Sequence, residues 1–206
     1  MRGSNSDIII GGSGHAVVLL DLIAITRPTM DIKHAIVNEF SNQIKATFPE
    51  LEQCIQSDDE YIDNHQPSLA INGIGIPGNS TIARHRVYSK YKTHGWSFPT
   101  LVHPSAIVSP RAALAEGSQV MAGAIIQAIS RVGENTIVNT GARIDHGCDI
   151  GAHSMIGPGA TLCGDVSLGQ NVIIGAGAVI LPGVRVPDGK TIPANSRLSA
   201  QEALAL

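Results

Sequence analysis

Residues 137–160 read IVNTGA, RIDHGC, DIGAHS, MIGPGA when written six at a time, from Ile137-Val138 through Gly159-Ala160. The second residue of each block is Val or Ile, and the sixth is small. The same frame extends in both directions without an insertion. Stepping by six from Val102 through Val108, Leu114, Val120 and Ile126 to Ile192 and Leu198, every one of seventeen positions is Val, Ile or Leu. These three types make up 53 of 206 residues, about one in four, so chance does not produce the run. A sandwich of ordinary strands would not keep a strict period of six.

The residue four places after each anchor is small almost throughout: Ala106, Ser118, Ala124, Ser130, Thr136, Ala142, Cys148, Ser154, Ala160, then Val166 to Val184. Only Lys190 is long. That residue is also two before the next anchor, so strand alternation puts both on one face, pointing inward. The three residues after each anchor form a corner, and they are turn formers: Asn139-Thr140-Gly141, Gly157-Pro158-Gly159, Pro187-Asp188-Gly189. Three short strands and three corners make an 18-residue coil. Residues 18 apart then stack about 4.8 Å apart in a parallel ladder. The run makes about five coils around a narrow interior, which explains why no aromatic residue follows Phe98.

Composition marks a boundary near Pro99. All seven aromatic residues precede it, whereas 14 of the 22 glycines follow Val102. The expected organisation is a small α/β unit over 1–98 and a β-helix over 99–206. In the first unit Asp7–Ile10 reads as a strand, Gly11 to His15 as a tight turn, and Ala16–Ile25 as a buried helix. Ala35–Asn38 and Leu69–Asn72 read as further strands, and Asn79 or Ser80 caps a helix that runs to Thr93 and stops at Gly95. The segment from Thr26 to Asp63 has no clear pattern. Met1–Ser6 read as an unstructured leader.

The net charge is −3 and charged residues are 15%, which argues against a nucleic-acid face and against a long disordered tail. Three cysteines, Cys54, Cys148 and Cys163, are a poor disulfide framework and fit a cytoplasmic setting. No apolar run reaches membrane-spanning length, and no secretory signal is evident.

Two places invite chemistry. The Gly11-Gly12-Ser13-Gly14-His15 turn joins a strand to a helix, where backbone N–H groups and the helix N-terminus suit a phosphate. Val17 stands where a dinucleotide fingerprint needs its third glycine, so a nucleotide diphosphate fits better than NAD. A tight connection without a ligand is the plain alternative. His146 lies two residues after an anchor, at a corner facing out. Its column is Ala128, His146, Gly164, Pro182, so small neighbours leave a notch beside the imidazole. Imidazole is a natural base at neutral pH, although a lone surface histidine is more often inert. Asp145 and Asp149 are near in sequence. Zinc ligation by His103, His146 and His153 is disfavoured, because His146 and His153 fall on successive corners and cannot share one ion within a subunit. No metal is expected.

Residues 137–151, then Gly157-Pro158-Gly159-Ala160, Gly164 and Ile174 to Ala178, together with Ile8 to His15, resemble the sialic-acid O-acetyltransferase, bacillosamine and perosamine N-acetyltransferase family. The resemblance implies a Rossmann-like N-terminal domain, a left-handed β-helix and a homotrimer with active sites between subunits. It implies acetyl-CoA as co-substrate and a nucleotide-activated amino sugar as partner, in surface polysaccharide biosynthesis. His146 matches the base and Gly164 the backbone amide on the thioester carbonyl, with Asp145 beside them. Acetyl-CoA contacts carry over to Met155, Gly164, Ala176 and Ala194, and nucleotide contacts to Gly12, Ser13, Gly14 and His15. This chain departs from the pattern twice: Gly147 replaces the acidic residue after the base, and Met155 replaces a second histidine. The expected activity is N-acetylation of a nucleotide-linked 4-amino-4,6-dideoxy sugar. The rivals are O-acetylation of sialic acid or a related sugar, and a non-catalytic trimeric sugar-binding scaffold.

Overall fold

The computed structural model describes residues 7–30, 32–37, 46–49, 52–54, 58–76, 78 and 80–205. The leader 1–6 and Asn79 lie outside the described residues. The chain divides into two compact units: Met1–Pro77 with Ala83–Pro99, and Gly78–Ile82 with Thr100–Leu206.

The first unit holds four parallel strands, β1 (Asp7–Ile10), β2 (Ile32–Ile36), β3 (Glu52–Cys54) and β4 (Ala70–Asn72). They are ordered β3-β2-β1-β4. Ile8, Ile9 and Ile10 are all buried, as a strand covered on both faces requires. Helix α1 (Gly14–Thr26) contributes Leu19, Leu20, Leu22 and Ile23 to the core. Helices α2 (Asp58–Asn64) and α3 (Ile82–Thr93) add Tyr61, Tyr88 and Tyr91, which pack with Trp96 and Phe98. Five of the seven aromatic residues are therefore part of the filling of this unit. The end of α3 follows expectation, with Gly95 at φ +87°, and Ser80 Oγ accepts the Ile82 N–H at 3.3 Å. Strand β2 begins at Ile32, three residues before the expected Ala35; the expected end, Asn38, is outside the described residues.

The second unit is a parallel β-helix. Seventeen two-residue strands run from β5 (Leu101–Val102) through β6 (Ile107–Val108) and β7 (Ala113–Leu114) to β21 (Arg197–Leu198). Every third strand pairs, so β5, β6 and β7 each found one sheet, of six, six and five strands. These are called the first, second and third faces. The register is the expected 18 residues, as in Arg143↔Thr161 and Ile144↔Leu162. The anchors and the small inward residues form one continuous core from Val102 to Leu198.

Three small polar residues inside that core, Ser130, Thr136 and Ser154, are satisfied by the backbone of the next coil, whereas the buried Ser118 hydroxyl has no partner among the described residues. Ser130 Oγ donates to the Asp145 carbonyl at 2.7 Å and accepts from Cys148 N at 3.2 Å. Thr136 and Ser154 repeat this with Gly151 and Ser154 N, and with Gly169 and Val172 N. Cys148 belongs to the same series: its thiol donates to the Cys163 carbonyl at 3.2 Å.

The corners are four-residue turns closed by a backbone bond, such as Ala142 N to Asn139 O at 3.0 Å. The third turn residue has positive φ, between +54° and +71°, at fourteen successive corners from Gly117 to Asn195. That conformation favours Gly and Asn, which is what most of these positions hold. Ile129, at φ +59° and 63% exposed, is the β-branched exception. A capping box of Ser199 and Glu202 opens helix α4 (Ala200–Ala203) beyond the last coil.

Candidate functional site

His146 is the second residue of the corner between the second and third faces. Its side chain is exposed, and its conformation is set by the residue one coil on. A Cβ built on Gly164 would come within 2.7 Å of His146 Cε1 and 2.8 Å of Nε2. The imidazole therefore lies close against Gly164, in the notch the 18-residue column anticipated. Gly164 is buried, and its N–H meets no acceptor among the described residues. Its carbonyl accepts Gly183 N at 3.0 Å. A fixed N–H and an exposed imidazole thus share one small patch. That pairing can stabilise a developing oxyanion and accept a proton.

Asp145 does not hold the imidazole. Its Oδ1 accepts the backbone N–H of His146 at 2.7 Å, which fixes the corner rather than the ring. Asp149 stands exposed on the third face, in register with Arg131 and Ser167. Beside Asp145 the second face carries a cavity of about 220 Å³ lined by Gln127, Arg143, Asp145 and Thr161 over Ile125 and Leu162. It offers a cation, a carboxylate and two neutral polar groups one residue from His146.

The other expected contacts lie elsewhere on the prism. Ala176 and Ala194 are exposed and stacked one coil apart at the edge between the first and second faces. Met155 is half-buried on the first face, between Ile137 and Ile173. The first face is opposite the edge that carries His146, so one chain does not bring Met155 and His146 together. His153 is buried, with Nδ1 3.0 Å from Asn135 Nδ2. Among the described residues, no group of three or more His, Cys, Asp or Glu could hold a metal ion. No helix among them is long and apolar enough to cross a membrane.

In the first unit the expected tight turn after β1 is shaped by its first glycine, Gly11, which is not among the nucleotide contacts the resemblance implied. Gly11 has φ +106°, and a Cβ there would press on the backbone of Gly73 and Ile74 at 3.0–3.1 Å. Around Gly14 there is open space, and Ser13 precedes α1 without a side-chain cap bond. The segment after β4 was missed altogether. Arg84, fully buried, donates through Nη1 to the Asn72 and Ile74 carbonyls at 2.9 and 2.7 Å. Asn72 returns a bond from Nδ2 to the Arg84 carbonyl at 3.0 Å. Burial pushes the Arg84 guanidinium down to about 9. The only sequence signal was Asn72-Gly73-Ile74-Gly75 after an apolar run. Because β4 lies on the opposite side of β1 from β2, the β1 and β4 loops flank the point where strand order reverses. Open parallel sheets bind ligands at such a point.

Residues 129–164, which include the His146 corner, match the family described as bacterial transferase hexapeptide (six repeats). The matched stretch lies wholly within the β-helix. No curated protein sequence matches the chain. Among solved structures, a histidine-to-alanine variant of GDP-perosamine N-acetyltransferase from Caulobacter crescentus, in complex with CoA and GDP-perosamine, is 28% identical with a TM-score of 0.80. The match covers 97% of this chain and 90% of that one. The acetyltransferase domain of PglB from Neisseria gonorrhoeae, with acetyl coenzyme A, is 28% identical with a TM-score of 0.75, over 94% and 90% of the two chains. WeeI from Acinetobacter baumannii shares the fold at 18% identity, with a TM-score of 0.72 over 96% and 98%. The structural neighbours of this hexapeptide β-helix are thus sugar acetyltransferases, as the sequence resemblance implied.

Proposed function

We propose that the protein transfers the acetyl group of acetyl-CoA to the 4-amino group of a nucleotide-linked 4-amino-4,6-dideoxy sugar, with His146 as general base. The observation that carries this reading is the seat of the His146 ring on Gly164, whose N–H is free. The amine attacks the thioester carbonyl carbon. As the C–N bond forms, the Gly164 N–H donates to the developing oxyanion. His146 takes the amine proton, the C–S bond breaks, and the proton passes to the departing thiolate. No acyl-enzyme is required, because holding the two substrates together supplies much of the acceleration.

The exposed stack of Ala176 and Ala194 leaves room for acetyl-CoA to run along an edge of the prism. That edge differs from the His146 edge, and Met155 lies on the opposite face. The complete site therefore combines edges of neighbouring copies in a homotrimer of left-handed coils. The first unit is Rossmann-like in this proposal. Its Gly12–His15 turn, at the reversal of strand order, takes the nucleotide diphosphate. The neighbour with CoA and GDP-perosamine bound supports this pairing of ligands.

The test is acetyl transfer from acetyl-CoA to a panel of nucleotide-linked 4-amino sugars and hydroxyl acceptors including sialic acid, read by product mass. Amide products support the proposal. Ester products alone replace it with O-acetylation. Binding of both ligands without turnover replaces it with a non-catalytic scaffold.

A further inference from the structure

An exposed imidazole acts well as a base only when another group fixes its orientation and tautomer. The two carboxylates nearest His146 in sequence do other work, as described: Asp145 holds a backbone N–H, and Asp149 belongs to the third face. A third carboxylate reaches this corner from the next coil. Asp165 N donates to the His146 carbonyl at 2.9 Å. The Asp165 side chain leans back over Gly147, so that its Oδ1 would collide with any Cβ built there, and Cγ would lie 3.3 Å away. The two glycines interlock across the coils. Gly164 makes room for the imidazole above it, and Gly147 makes room for the carboxylate of Asp165. Neither the His146 ring nor the Asp165 carboxylate has another partner among the described residues.

We propose that Asp165 is the positioning residue for His146, its carboxylate reaching through the space left by Gly147 to accept the ring N–H once the acceptor sugar is bound. This rests on the acetyl-transfer reading above. The ring and carboxylate are not hydrogen-bonded in the free chain; such bonds commonly tighten only in the reacting complex. The role is orientation: with one ring nitrogen donating to Asp165, the other keeps its lone pair toward the substrate amine. A residue after the histidine could supply such a carboxylate directly. Here the coil stacking supplies it from 18 residues on.

The fold provides a clean exchange experiment. Positions 147 and 165 are equivalent corner residues, at φ +69° and +61°. Apart from Ile129, the positive-φ corners hold Gly, Asn, Asp or His there, so Gly147→Asp combined with Asp165→Gly fits the backbone at both sites. Asp165→Asn is expected to lower kcat by roughly tenfold or more, with KM for acetyl-CoA within about twofold and an unchanged melting curve. The exchange double variant is expected to recover most of the lost kcat. With both ligands bound, ¹⁵N spectra should show one ring tautomer of His146 in the wild type and a mixture in Asp165→Asn. Wild-type kcat in Asp165→Asn beside an inactive His146→Asn overturns the positioning role and leaves the base intact. A loss confined to KM overturns it as well, by making Asp165 a substrate contact. Full activity in both variants overturns the base and the positioning role together.

Discussion

The imidazole of His146 rests on the α-carbon of Gly164, with ring atoms 2.7–2.8 Å from where a Cβ at position 164 would be. A single methyl group therefore cannot be added without moving the ring. Gly164→Ala should leave the coil intact, because this residue is not at positive φ. It should lower kcat about a hundredfold, the usual cost of shifting a reacting group by an ångström. Steady-state rates with a thermal melt check this; a variant that turns over like the wild type shows that the seat does not matter.

Ile129 occupies a corner where its neighbours are mostly Gly, Asn or Asp, and its side chain is exposed. A β-branched residue in the left-handed region costs about 1–2 kcal/mol. Ile129→Asn is accordingly expected to stabilise the β-helix by about 1 kcal/mol, seen as a higher urea midpoint. A lower midpoint would mean that Ile129 makes contacts worth more than the strain.

Burial pushes the Cys148 thiol up to about 11, and the thiol already donates to the Cys163 carbonyl. At pH 8 it should stay protonated and unreactive. Peptide mapping after iodoacetamide treatment should find Cys163, which is half-buried, modified well before Cys148. Rapid labelling of Cys148 in the folded protein would contradict the inward assignment.

The β-helix was legible because its rules are local and repeat. The anchor can be checked seventeen times, the small inward residue and the corner nearly as often, and the 18-residue column even exposed the notch at Gly164. Positive φ at Asn135, Asn171 and Asn195 follows from the same chemistry. The first unit was less legible because it has no repeat to average over. β3, Glu52–Cys54, is polar and short, and α2 follows within the stretch that showed no pattern. Arg84 lies on a helix rich in His, Arg and Lys, and nothing in IARHRVYSKYKT marks one cation as fully buried. The Gly147 and Asp165 pair was 18 apart and open to view, yet the direction of the Asp165 side chain is a tertiary fact.

Arg84 ties the end of β4 to α3 by donating to the Asn72 and Ile74 carbonyls. Arg84→Met removes those bonds and leaves buried acceptors behind, each costing about 1–3 kcal/mol. The first unit should lose about 3 kcal/mol, with nucleotide-sugar affinity falling as the loop at Ile74 loosens. Chemical denaturation and calorimetry measure both; a loss under about 1 kcal/mol would mean that water replaces the guanidinium.

The central claim is that His146 accepts the proton during acetyl transfer. The most direct measurement is initial rate against pH for the wild type, His146→Asn and Asp145→Asn. The asparagine keeps a polar corner side chain of similar size, so the fold should survive. Near neutral pH the His146 variant is expected to fall by about 10²–10⁴-fold, with partial recovery as pH rises for an amine acceptor and almost none for a hydroxyl. Asp145→Asn should cost much less, because its amide oxygen can still accept the His146 backbone N–H. Wild-type turnover by His146→Asn across neutral pH would contradict the account and leave approximation of the two substrates as the whole of the catalysis.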